Sequence, residues 1–178
     1  MRSEAVSRVR LVFSLFDVNG NGHLEADDFD LMAARVDEAA VASDEGERAA
    51  MRAAFRRYWT TLRTELDADH DGRISFDEYT ACVLSPERFD ETIDEFAEAL
   101  STLGDPNGDG TVQRPVFVAL MTAIGFDRSN IDALFDAFGP SDDDRIAKET
   151  WAAGIREYYA PETADTPGNL LVGPAPTP

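Results

Sequence analysis

A chain of 178 residues, 43% of them hydrophobic and with 11 Phe, can bury one sizeable core or two small lobes that share an interface. Its 35 Asp and Glu outnumber 16 Lys and Arg, for a formal net charge of −19; that balance repels nucleic acid and anionic membrane, and favours cations or basic partners. The single cysteine, Cys82, excludes an internal disulfide, no apolar run is long enough to span a membrane, and Met1–Arg10 lacks the apolar core of a signal peptide, so a cytoplasmic protein is expected.

The first stretch, 4–16, places Val6, Val9, Val12, Phe13 and Phe16 at helical spacing. It runs into Asp17–Asp28, where Asp17, Asn19 and Asn21 stand at positions 1, 3 and 5, Gly22 at 6 and Leu24 at 8. Such a loop suits a hard cation. Calcium takes about six to eight oxygens at about 2.3–2.6 Å, drawn from positions 1, 3, 5, 7, 9 and 12, and a glycine at position 6 permits the sharp turn. His23 at position 7 would offer its carbonyl, and Glu25 at position 9 its carboxylate. Asp28 at position 12 is one methylene shorter than glutamate, which makes two-oxygen capture harder and tolerates the smaller magnesium better.

Residues 26–42 read as the exiting helix, Ser43–Glu47 as a break, and 47–66 as a long helix with Met51, Phe55, Tyr58, Leu62 and Leu66 inward. Its Arg48, Arg52, Arg56, Arg57 and Arg63 are most simply counter-charges on a solvated face; the alternative is a dock for an acidic partner. Asp67–Glu78 then satisfies D-x-[DN]-x-[DN]-G-x5-E, the calcium loop of the EF-hand. Asp67, Asp69 and Asp71 would supply side-chain oxygens, Arg73 its carbonyl, Ser75 a water-mediated contact and Glu78 both carboxylate oxygens, with Gly72 at the turn. A helix is expected over 76–84 with Cys82 on its inner side, followed by Ser85 as N-cap of a helix over 86–103 that turns Phe89, Ile93, Phe96 and Leu100 inward.

The third loop, Asp105–Val116, keeps positions 1, 3, 5, 6 and 8 but ends on Val116, which has no ligand oxygen, so binding there is expected to be weak or absent. Helices over 115–124 and 129–138 follow, the second opened by Ser129 and Asp132 as a capping box. The fourth loop aligns by its flanks: Phe135 and Phe138 precede it as Phe13 and Phe16 precede the first, and Ile146 takes position 8. Gly139 then stands at position 1, Asp144 at 6 and Thr150 at 12, leaving Ser141 and Asp143 as side-chain ligands, too few for a divalent ion. Loop starts at 17, 67, 105 and 139 form an internal repeat. The position-8 residues predict short β bridges, Leu24 with Ile74 and Val112 with Ile146. The fold class is all-α: an EF-hand pair over 1–84, a degenerate pair over 85–160, and an irregular tail over 161–178 whose Leu170-Leu171-Val172 patch packs on the body.

This combination resembles calerythrin and the sarcoplasmic-type calcium-binding proteins, including their actinobacterial relatives. The carriers are the four repeats, the long first spacer, the first loop's Asn19-Gly20-Asn21-Gly22 with Glu25 and Asp28, and the closing Pro167–Pro174 segment. The resemblance implies two EF-hand pairs packed face to face in one compact globule, and a calcium buffer or signal modulator without enzymatic activity. The chain departs from its bacterial relatives in one respect: they degrade the second loop, whereas here the second is the most complete. Ca2+ is thus expected at loops 17–28 and 67–78, with Mg2+ as a competitor, in a monomer whose protein target, if any, is unidentified. A sensor would expose a Met-rich groove, and this chain has 4 Met with no repeated pairs. A carrier or enzyme would use a central apolar cavity, as some relatives hold a luciferin. The two histidines, His23 and His70, both lie in loops, and no G-x-S-x-G, H-E-x-x-H or P-loop pattern occurs.

Overall fold

The computed structural model describes residues 3–81, 86–159 and 165–173. Eight α-helices and four short strands follow one another among them: α1 (Ser3–Phe16), β1 (His23–Leu24), α2 (Ala26–Ala39), α3 (Glu45–Leu66), β2 (Ile74–Ser75), α4 (Phe76–Thr80), α5 (Asp90–Leu103), β3 (Thr111–Gln113), α6 (Arg114–Ile124), α7 (Arg128–Ala137), β4 (Arg145–Ala147) and α8 (Lys148–Tyr159). The strands make two antiparallel bridges, β1 with β2 and β3 with β4. Their register sets Leu24 opposite Ile74 and Val112 opposite Ile146, as position 8 of each loop requires. All four side chains are buried, so each bridge ties two loops together from beneath.

Several boundaries differ from expectation, each for a local reason. Helix α3 begins at Glu45 because Asp44 accepts a hydrogen bond from the Glu47 N–H while Glu47 reaches back to the Asp44 N–H, a capping box inside the expected break. The stretch expected to open as α-helix at 86 is a 3-10 turn, Pro86–Phe89, and α5 starts at Asp90; the tighter turn delivers Phe89 to the core. Helix α7 is capped by Asp127, which accepts from the N–H groups of Ser129 and Asn130, not by Ser129 and Asp132. Cys82 and Ser85 lie outside the described residues.

The core is rich in stacked rings. Phe16 stacks on Phe29 at 4.8 Å and on Tyr58 at 5.2 Å between centroids. Phe55 and Tyr58 of α3 both meet Phe96 of α5, at 5.3 and 5.7 Å, and so join the first loop pair to the second. Across the same seam the Ser43 hydroxyl donates to the Leu103 carbonyl at 2.9 Å. In the second pair Phe117 packs between Phe135 and Trp151. Full burial of one such ring contributes about 1.5–3 kcal/mol.

The tail is fastened to the body by a 3-10 turn, Pro167–Val172. Leu171 is buried and its carbonyl accepts from Asn130 Nδ2 at 3.3 Å, while Leu170 faces out; the apolar patch is therefore divided. A Cβ on Gly168 would stand 2.7 Å from Tyr158 Cδ2, so the tail lies directly on that ring. Arg8, buried although charged, donates to the Thr166 hydroxyl and lies 5.9 Å from the centre of the Tyr158 ring. On α3, Arg48 and Arg52 both hold Asp37, and Arg57 holds Glu91 and Glu95, at 3.2 and 3.1 Å. These arginines act as internal counter-charges. Among the described residues no helix is long and apolar enough to cross a membrane.

Candidate metal-binding loops

Loop geometry follows from two backbone positions. Position 4 is left-handed at Gly20, His70 and Gly108, with φ of 70°, 59° and 66°. Position 6 is left-handed at Gly22, Gly72 and Gly110, with φ between 80° and 84°, and at Asp144 with φ 58°. Asp144 thus holds the glycine position of the fourth loop, as the flank alignment requires, and position 6 is not a ligand position of a calcium loop.

In the first three loops the carboxylate at position 1 gathers the turn. Asp17 accepts from the N–H groups of Asn21 and Gly22 at 3.0 and 2.9 Å. Asp67 accepts from Asp71 and Gly72, both at 3.1 Å. Asp105 accepts from Asp109 and Gly110 at 3.1 and 2.8 Å. Gly139 offers no such group. In the second loop this curl brings carboxylate oxygens of Asp67, Asp69 and Asp71 within 4.8 Å of one another, with Asp67 buried and the others exposed. Three formal negative charges at that spacing fit a divalent cation.

The position-12 acids close their loops differently. Glu78 spans the loop: Oε1 accepts from the Ala68 N–H at 3.0 Å and Oε2 from the Ser75 N–H and hydroxyl at 2.9 and 2.8 Å. These bonds, those from Ser75 foremost, hold its carboxyl below the usual glutamate range. Asp28 is fully buried and accepts from Asn19 and Glu25 N–H groups at 3.3 and 2.9 Å. Desolvation outweighs those bonds and pushes its carboxyl up. Ser75 both caps α4 and donates to Glu78, so its hydroxyl is engaged.

Two arginines act in ways that loop spacing does not predict. The Arg73 side chain crosses the β1–β2 bridge and pairs with Glu25, Nε to Oε1 at 3.1 Å, while Asn21 Nδ2 holds the other Glu25 oxygen at 2.7 Å. Glu25 is therefore shared between its own loop and the cation opposite. In the second pair Arg145 reaches Asp109 of the third loop. The signal was present in the predicted pairing: once Leu24 faces Ile74, Arg73 faces Glu25 one step further along.

Residues 6–84 match the EF-hand domain pair family. The chain is 24% identical to calexcitin-1 of Caenorhabditis elegans over 94% of its own length and 85% of the relative's. It is 22% identical to calerythrin of Saccharopolyspora erythraea over 87% of its length and 92% of that protein's. A Streptomyces coelicolor calcium-binding protein shares the fold, with a TM-score of 0.70 and 24% identity over 85% of this chain and 95% of that one.

Proposed function

We propose that this chain, an EF-hand protein of the calerythrin and sarcoplasmic type, is a cytoplasmic, monomeric calcium buffer or signal modulator that takes Ca2+ in loops 17–28 and 67–78. The convergence of Asp67, Asp69 and Asp71 carries the proposal. Around that cluster Glu78 would add two oxygens, the Arg73 carbonyl one, and Ser75 a water-mediated contact. The first loop would use Asp17, Asn19, Asn21, the His23 carbonyl, Asp28 and, when released by Arg73, Glu25. Its two neutral amides and shorter terminal acid make it the weaker site and the one where Mg2+ competes. When bound, the ion neutralises carboxylates that otherwise repel one another and ties the exiting helix to the loop.

Buffering is favoured over target recognition because Met32, Met51 and Met121 are all buried in the core and supply no adaptable groove. A carrier role is disfavoured by size. The cavity lined by Phe16, Phe96, Met121, Trp151, Tyr158 and Leu171 has a volume of about 60 Å³, against the roughly 150 Å³ that admits benzene.

Fluorescence of an apolar dye, with and without calcium, separates these roles. A buffer gives little calcium-induced gain, or a fall. A large rise means that calcium bares an apolar groove and that the chain is a sensor; a strong signal unchanged by calcium means a standing ligand pocket.

A further inference from the structure

The β3–β4 register places Arg145 opposite Gln113, where the first pair places Arg73 opposite Glu25. Gln113 offers no charge. Arg145 instead turns back into the third loop, its NH1 2.9 Å from Asp109 Oδ2 and 3.3 Å from the Thr111 hydroxyl. Asp109 stands at position 5, a place where a calcium loop needs a free carboxylate oxygen. The third loop returns a cation to the fourth. Arg114 lays its guanidinium along Asp144, with contacts of 2.8–3.0 Å, and also meets Asp136 at 2.6 Å and Asp132 at 3.5 Å. Its guanidinium carbon lies 4.5 Å from the centre of the Phe135 ring.

We propose that the second loop pair is closed by its own cations: Arg145 of the fourth loop on Asp109 of the third, and Arg114 of the third loop on Asp144 of the fourth. The exchange is reciprocal across one bridge and gives one carboxylate of each loop a cationic partner from the other. The third loop is then closed for two independent reasons. It lacks the position-12 acid, because Val116 stands there, and a resident guanidinium occupies one of its remaining carboxylates. Restoring the acid alone leaves the second obstacle in place. This deepens the assignment of calcium to the first pair and rests on it only where binding is counted.

The test uses the full chain and four proteins: wild type, Val116→Glu, Arg145→Gln, and the double variant. In calcium titrations, the double variant takes up one more ion than wild type. Val116→Glu alone does so about two- to fivefold more weakly, because calcium must displace a half-exposed ion-paired partner. Equal third-site affinity in single and double variants overturns the proposal. So does a double variant with no added site, since removing the guanidinium would then free nothing. Thermal unfolding in chelator reads the clamp without metal. Arg145→Gln lowers the midpoint by about 1–4 °C, and an unchanged or raised midpoint contradicts the clamp. A wild type that binds no calcium refutes the first-pair assignment, while the chelator measurement still decides the role of Arg145.

Discussion

The two loop pairs share one backbone and differ in which carboxylates their arginines hold. Both have antiparallel bridges with buried aliphatic residues at position 8, and left-handed residues at position 6. In the first pair Arg73 holds Glu25 of the first loop, while the carboxylates of Asp67, Asp69 and Asp71 converge with no arginine paired to them among the described residues. In the second pair each loop sends an arginine to a carboxylate of the other. Loop shape and metal competence are therefore separable. Glycine, turn hydrogen bonds and an aliphatic bridge keep the shape; on the proposed reading, a set of carboxylate oxygens not held by arginine is what binding requires in addition.

The strongest way to break the comparison is to remove the closing acid of the first pair. Glu78→Gln deletes a charge and the two-oxygen anchor, and should weaken the second loop by about a hundredfold or more. Calorimetry would then detect one fewer ion at micromolar calcium. A small change would mean that Glu78 serves only as the capping group that its bonds to Ala68 and Ser75 describe.

Asp28→Ala should act less on the first loop, by about tenfold, because Glu25 remains as an acid able to turn towards the ion. A loss as large as that of Glu78→Gln would mean that Arg73 and Asn21 keep Glu25 from the metal.

A change outside both pairs should leave them alike. Gly168→Ala sets a methyl group against Tyr158, and such overpacking costs about 1–3 kcal/mol. The thermal midpoint should fall by a few degrees with or without calcium, with both calcium affinities unchanged. A calcium affinity that moves with it would couple the tail to the loops.

Acid should separate the halves most subtly. Asp109 is held low by its bonds from Thr111, helped by Arg145, and Asp144 by bonds from Arg114. Depressed carboxyls stabilise the fold above about pH 3.9, and that contribution is lost as pH falls through their folded values. In the first half Glu78, held by bonds from Ser75, and Asp37, held by Arg48 and Arg52, are depressed in the same sense, but Asp28, raised by burial, runs against them: its contribution is present below about pH 3.9 and lost as pH rises through its folded value. Each half carries one tryptophan, Trp59 on α3 and Trp151 on α8. In chelated protein titrated below about pH 4, the indole NMR signal of Trp151 should lose its native position before that of Trp59. The reverse order would mean that the Arg145 and Arg114 pairs contribute less than the bonds that hold Glu78 and Asp37.

Much of this was legible in the residues because loop positions are strict. The twelve-residue spacing located the first three loops, and position 8 located both bridges. The fourth loop aligned correctly by Phe135, Phe138 and Ile146 alone, with Asp144 in the left-handed place. What escaped depends on where long side chains travel. Position 7 contributes only a carbonyl to a calcium loop, so spacing is silent about the Arg73 and Arg145 guanidinium groups. Helix starts escaped where two acceptors compete within three residues, as Asp127 does with Ser129. The burial of Arg8 escaped because it depends on a tail more than 150 residues away.

The central claim, calcium in the first pair and none in the second, is tested most directly by the stoichiometry of the unmodified chain. Calorimetric titration with calcium, in the absence of magnesium, should count two ions per chain, falling to one in Glu78→Gln. A count of three or four, or of none, would contradict the account.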